Sequence, residues 1–486
     1  MINHLIKLIL ILLLLFTPIA FGSMEIWAFS LMELGILLTI ILAVIQRFVL
    51  DLSKGSTLPN DPSGHNVLSV QNVIPGFLLA LFLLLVLFQM IPLPSGIIKI
   101  ISPKTYELRS ILSPLSFELS AFSSELSASS PQPAVLSFPI SFVPFATQVD
   151  FLKWLTLFGL FLFLLSWGPF RNDLSVTRQL LLTIMLVGFA ESLYGMFEFF
   201  SGHRHILSLE AEGWVSSVTG TFINRNYFAG YLLMVIPLSL GYLFSREAIQ
   251  RTRFMGWRHR LSSLDGKTLL IAFGIIVMIL ALLFSASRMG IISLLLSFSL
   301  ISFLFRDPRR ERRFSKTSVL IFGLALLWAA WIGLDAVIGR FFTVSESFKS
   351  RWEIWVNTFE IFKDFPLVGS GLGTFAQIFP MYRSFHIQGL VTHAENDFLQ
   401  LLSEVGLIGL GLLVILFLFL FLKGVSKIRP LSRGDSQRYI GIGGIMGILA
   451  LMFHSLVERN IQVPSNSFLY TMLWAIVLRT SVREIE

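Results

Sequence analysis

Residues 268–305 read TLLIAFGIIVMILALLFSASRMGIISLLLSFSLISFLF. Two apolar runs meet across Ser285-Ala286-Ser287-Arg288-Met289-Gly290, which leaves almost no loop. Each run approaches the length of helix, about 20 residues, that crosses a hydrocarbon core about 30 Å thick. In lipid a chain must satisfy its own backbone polar groups, and a helix does so within one segment. Outer-membrane strands would instead alternate apolar and polar residues over short stretches. The reading extends outward in both directions. Spans are expected at 5–21, 26–50, 73–94, 149–169, 177–200, 225–245, 268–284, 287–305, 317–335, 401–422, 438–456 and 464–481. The first run is read as a retained helix, because Thr17 to Ser23 makes a poor cleavage site and a second span follows at once. The expected fold is all-α, a polytopic transmembrane helical bundle of about twelve spans in which residues 1–486 form a single integral membrane domain.

Composition agrees. Of 486 residues, 55% are hydrophobic and 14% charged, against about 25% charged in soluble domains. Too little polar surface is present to cover the chain in water. There is no cysteine, which excludes disulfides, thiolate metal sites and a cysteine nucleophile. The net charge of +8 is concentrated between spans. Arg246, Arg251, Arg253, Arg258, Arg260 and Lys267 form one cluster. Arg306, Arg309, Arg310, Arg312, Arg313 and Lys316 form a second, and Lys423, Lys427, Arg429, Arg433 and Arg438 a third. Twelve spans put all three on one side together with both termini, and the positive-inside rule makes that side the cytoplasm. These clusters are read as topology signals, so no nucleic-acid partner is expected.

Two long loops then face outward. Residues 95–148 are rich in Ser and Pro from Ser110 to Pro133, and an extended, poorly packed loop without chemistry is expected there. Residues 336–400 carry aromatics, charges, glycines and histidines. A long loop of this kind is usually functional, and the active site is expected in it, on short amphipathic helices.

Arg288 lies at or just inside the outer membrane face, where an unpaired charge is expensive. It either snorkels to the interface or offers its planar fork to phosphate oxygens. In Arg351 to Phe362, the residues Trp352, Trp355, Phe359 and Phe362 recur at helical spacing, with Arg351, Asn357 and Glu360 largely off that face. The stripe suits either a bilayer surface or packing against spans. Pro366 ends the helix. Gly369-Ser370-Gly371-Leu372-Gly373 reads as a turn, since it lacks the strand, helix and Lys of a nucleotide loop. Tyr382, Arg383, His386, His393, Glu395 and Asn396 follow, and either His393 or Glu395 can take a proton from a hydroxyl. Glu191 and Glu198, seven residues apart, share a helix face and are expected to line a polar cavity or pair with a base. Asn224, Arg225 and Asn226 add polar groups where an outward-facing span begins.

Four segments together resemble the O-antigen ligase family. They are Gly220-Thr221-Phe222 through Asn226-Tyr227-Phe228-Ala229-Gly230, Ser287-Arg288-Met289-Gly290, Arg351 through Gly373, and Asn396 to Gly409, with a weaker echo in Gln89 to Pro94. The likeness covers roughly 180–420. The family's active loop has His, then Asn, Ser or Gln, then nine residues and Gly-x-x-Gly. Here Asn396, Gly406 and Gly409 keep that spacing, but Glu395 stands at the histidine position and His393 lies two residues earlier. The resemblance implies that Arg288 and Arg351 are the functional arginines and that His393 or Glu395 is the base. Asn224, Arg225, Asn226, Tyr382, Arg383 and Asn396 are candidate substrate contacts.

What the resemblance implies is a membrane glycosyltransferase, moving a glycan from a polyprenyl diphosphate to a hydroxyl of a lipid, sugar or protein. The reaction belongs on the outer face of the bacterial inner membrane. No cofactor and no metal is expected, as the diphosphate is already a good leaving group. An O-antigen or exopolysaccharide polymerase and a protein O-oligosaccharyltransferase are alternatives within the same class. A lipid or solute transporter is the alternative from another class, though it would place charges near the midplane, often within inverted repeats.

Overall fold

The computed structural model describes residues 1–53, 70–111, 137–202, 205–207, 209–210, 217–249, 265–305, 344–386, 389–432 and 434–479. Helices dominate them. In chain order they are α1 (Ile2–Ile19), α2 (Ile26–Ser53), α3 (Val70–Met90), α4 (Ser95–Ile101), α5 (103–111), α6 (Pro144–Ser166), α7 (Gly168–Asn172) and α8 (Leu174–Ser201). There follow α9 (Arg225–Ile249), α10 (Gly266–Phe284), α11 (Arg288–Leu304), α12 (Val344–Asp364), α13 (Phe375–Ile378), α14 (Asp397–Ile428), α15 (Ser436–His454) and α16 (Pro464–Arg479). Among the described residues nine helices are long and apolar enough to cross a bilayer, and α11 is a shorter apolar helix of 17 residues. The chain is an all-α, multi-pass membrane protein. The span expected at 317–335, the basic clusters at 251–260 and 306–316, the Ser/Pro stretch 112–136 and residues 336–343 lie outside the described residues.

The backbone divides into two compact units. The larger comprises Met1–Asn72, Thr156–Val344 and Phe419–Glu486, and the smaller Val73–Leu155 and Ser345–Leu418.

In the larger unit α9 is buried along its whole apolar stretch, as a helix hydrophobic on every side must be. It packs against α15 at backbone distance. A Cβ at Gly443 would stand 2.4 Å from the Pro237 carbonyl, and one at Gly241 2.4 Å from the Tyr439 carbonyl. Lipid removes the hydrophobic drive between helices, so close van der Waals approach at small residues takes its place. Several helix ends gather at one end of this unit. Val218 N donates to Phe284 O (3.1 Å), and Thr221 Oγ1 to Pro18 O (2.7 Å). Asn466 Nδ2 donates to Tyr227 O (3.1 Å).

The smaller unit holds a compact apolar core of Ile354, Ile361, Phe365, Phe375, Ile378 and Phe379. Two sequence expectations need correction here. The first outward loop is not poorly packed at its ends. β1 (Leu93–Pro94) pairs antiparallel with β2 (Ser137–Phe138), and Leu108 and Phe142 pack on the core. Arg109 Nη2 donates to Ser141 O (3.1 Å) and Phe142 O (2.8 Å), and burial holds its guanidinium below the usual arginine range. The Ser/Pro richness had masked the apolar residues flanking it. Second, of the two readings of the α12 aromatic stripe, bilayer surface or packing, packing on the core does not hold. Ile354, Asn357, Thr358 and Ile361 are buried, whereas Trp352 is 56% and Phe359 43% exposed. Asn357, expected off the packed face, is inside because its Oδ1 accepts from Ser384 N (3.0 Å) and its Nδ2 donates to Glu353 O (2.7 Å).

Candidate active site

The smaller unit is built around a broken helix. Gly406, at φ +64° and ψ −170°, interrupts α14. The break frees backbone groups that lipid would not satisfy, and the turn after α12 takes them up. Leu407 N donates to Pro366 O (2.9 Å) and Ile408 N to Leu367 O (3.2 Å), while Ser370 N donates to Ser403 O (3.0 Å) and Gly371 N to Glu404 O (3.0 Å). A Cβ on Gly406 would come within 2.3 Å of the Leu367 carbonyl, and one on Gly369 within 2.2 Å of that of Glu404. The glycine-rich segment is therefore a turn docked on a helix break.

Gln89, wholly buried at the end of α3, completes the knot. Its Nε2 donates to Val368 O (2.6 Å) and Glu404 O (2.9 Å), and its Oε1 accepts from Leu372 N (3.1 Å). Glu404, also buried, accepts from Phe375 N (3.2 Å) and Gln400 Nε2 (3.1 Å). Neither residue was singled out for this role, although a glutamine inside an apolar run is a readable signal.

On this base stands the segment 393–396. Asn396 is spent as a helix cap, its Oδ1 accepting from Leu399 N (3.0 Å). Ala394 is buried, its N donating to Gln400 Oε1 (3.1 Å) and its carbonyl accepting from Trp355 Nε1 (3.0 Å). That last bond pins α12 to the segment. Arg351 is one helical turn before Trp355, on the same face. His393 and Glu395 flank Ala394, and both are half-buried. Glu395 adopts φ +51°, a left-handed conformation costing a non-glycine residue about 1–2 kcal/mol. Its Oε2 is buried and has no hydrogen-bond partner among the described residues. Strain and an unsatisfied polar atom at one residue single out Glu395 as a candidate.

The other candidates differ. Tyr382 donates its hydroxyl to Asp364 Oδ2 (2.6 Å). Burial, then the Asp364 carboxylate, push its pKa up, so it stays a protonated donor. Arg383 and His386 are exposed. In the larger unit, Arg288 is half-buried at the start of α11. Asn224 Oδ1 accepts from Asn226 N (2.8 Å) at the start of α9, Arg225 is half-buried and the Asn226 side chain is buried.

Glu191 pairs with no cation among the described residues, contrary to one reading of its sequence. Thr221 N donates to its Oε2 (2.9 Å), and Thr221 Oγ1 lies 2.9 Å from Oε1. Thr221 has one hydroxyl proton, which goes to Pro18 O, an acceptor only. This is a structural link between α1, α8 and the turn before α9. The stretch His454 to Asn466, to which the sequence reading gave no role, is rich in buried polar side chains: His454, Ser455, Glu458, Asn460, Ser465 and Asn466.

Residues 273–414 match the family model described as O-antigen ligase. This stretch, 142 of the 486 residues, is what is similar to that family. None of the curated proteins matches it. The O-antigen ligase match includes Arg288, Arg351, His393, Glu395, Gly406 and Gly409. Gln89, Glu191 and the 454–466 stretch fall outside it.

Proposed function

We propose that the protein transfers a glycan from a polyprenyl diphosphate to an acceptor hydroxyl at the outer face of the inner membrane, with Glu395 as the base. The acceptor oxygen attacks the anomeric carbon and the bond from that carbon to the diphosphate oxygen breaks. The electron pair leaves on the diphosphate, and the acceptor's proton passes to the carboxylate. Arg351 and Arg288 supply the positive charge that stabilises the leaving diphosphate. The observation that carries this reading is the state of Glu395, strained at φ +51° with one buried oxygen unsatisfied, on a segment tied to the helix of Arg351. His393 is the rival base. Among the other proposed contacts, Arg383 is the exposed one nearest in sequence, and Asn396 holds α14 in place.

The test is transfer by purified protein in vesicles, with a short polyprenyl-diphosphate glycan as donor. Glu395→Gln is expected to lower the rate by about 10²–10⁴-fold, the usual weight of a general base. Arg351→Ala is expected to lower it by about 10²–10³-fold, with lysine a poor rescue because it lacks the planar fork. Wild-type rates in Glu395→Gln together with a collapse in His393→Ala would move the role to His393. In cells lacking the protein, long lipid-linked chains should accumulate, whereas accumulation of single repeat units would make it a polymerase.

A further inference from the structure

The larger unit contains a directed hydrogen-bond chain ending at the residue before Arg288. Its direction follows from one unambiguous acceptor, the backbone carbonyl of Tyr227. Asn466 Nδ2 donates to it at 3.1 Å. Turning the Asn466 amide over would set two oxygens against each other, although the present orientation leaves Asn466 Oδ1 buried without a partner. The same Nδ2 lies 3.4 Å from Asn460 Oδ1. The oxygen of Asn460 therefore faces Asn466, and its amide nitrogen faces His454 Nδ1 at 3.1 Å. An amide nitrogen only donates, so Nδ1 accepts and is unprotonated. The neutral ring carries its proton on Nε2, which lies 3.4 Å from Ser287 Oγ.

Ser287 Oγ then accepts from the ring and keeps its own proton to give. Among the described residues that hydroxyl has no other partner, and the side chain is buried. The packing enforces the arrangement. A Cβ on Gly230 would overlap Asn460 Oδ1 at 1.9 Å, and one on Gly290 would stand 3.1 Å from Ser287 Oγ. His454 is fully buried at the end of α15, a place where a polar ring is unfavourable unless bonded.

We propose that His454 is a positioning residue: neutral and protonated on Nε2, it turns the Ser287 hydroxyl into a donor that joins Arg288 in holding a phosphate oxygen. The assignment of phosphate rests on the proposed function. The ring's protonation does not. A serine left to itself can accept as readily as it donates, and an accepting serine beside an anion is repulsive. Fixing its lone pair on a ring N–H removes that option, in the way preorganised donors stabilise developing charge.

Two measurements test it. The first is ¹⁵N NMR of histidine-labelled protein in vesicles, with the His454 signals assigned by their loss in His454→Gln. The expected result at neutral pH is a neutral ring bearing its proton on Nε2. A proton on Nδ1, or a charged ring, overturns the proposal. The second is a cycle of Ser287→Ala and His454→Leu in the transfer assay, at matched protein levels and melting temperatures. Each is expected to lower kcat by about tenfold, near the weight of one hydrogen bond to an ion, and the double variant no further. His454→Gln, whose amide can accept from Asn460 and donate to Ser287, should recover most of the lost rate. Additive losses, or Gln as damaging as Leu, refute action through Ser287. If the wild-type protein transfers nothing, the proposed function falls separately. The serine's role is then read from inorganic diphosphate binding, which Ser287→Ala should weaken by about tenfold and which an unchanged affinity would contradict.

Discussion

A glutamate held at φ +51° gives up about 1–2 kcal/mol that a glycine would keep. Glu395→Gly is accordingly expected to raise the thermal stability of the protein by about 1 kcal/mol while removing transfer. Thermal unfolding in detergent, read beside the activity assay, checks both halves. A stability equal to or below wild type would mean that the side chain is held by contacts and not merely tolerated. Little of this was legible in the sequence. The substitution of Glu395 for the family histidine was visible, but a residue's φ depends on what pins its neighbours, here Trp355 and Gln400 on Ala394. Glu191 was legible as a buried acid. Its partner was not, because Thr221 reaches it from a segment 30 residues away.

Among elements, the knot of α3, the 366–373 turn and α14 carries the proposed site. Gln89→Leu would leave Val368 O and Leu372 N, both now bonded to the amide, without their partner in a buried place. The expected loss is about 2–6 kcal/mol, from one to three kcal/mol for each of the two stranded groups. It should show as faster proteolysis within 365–396 and a lower melting temperature. Proteolysis at the wild-type rate would mean water or a shifted backbone replaces the amide. The helix ends were well announced, as Pro366 stops α12 at Asp364 and Gly406 marks the break. The faces were not. Trp352 and Phe359 dominate any count of hydrophobicity along α12, yet the smaller Ile354, Thr358 and Ile361 are the ones inside. Periodicity finds a helix, but where the apolar stripe is wide it does not say which part of it meets the core.

For the whole molecule, the apolar runs made the membrane fold plain, since lipid leaves few alternatives to helices. The division into two units could not be read, because the smaller one is assembled from two stretches of chain that no composition change sets apart. The proposed orientation, with both termini cytoplasmic and the second long loop outside, is testable on a cysteine-free background. Lys363→Cys and His386→Cys should react with an impermeant thiol reagent in intact spheroplasts, and Ser432→Cys only after lysis; all three positions are exposed. The opposite labelling pattern would invert the topology and remove the proposed site from the outer face. The assembly of the smaller unit also has a schedule. Gln89 and its acceptor Val368 are 279 residues apart. At ~5–20 residues per second of synthesis, α3 waits roughly 15–55 s in the bilayer before its partner emerges from the ribosome. Throughout that interval an amide sits at the end of an apolar helix with its final contacts unmade, a state that a membrane chaperone would shelter and a quality-control protease would recognise. Nascent chains stalled before residue 368 should therefore be the short-lived ones.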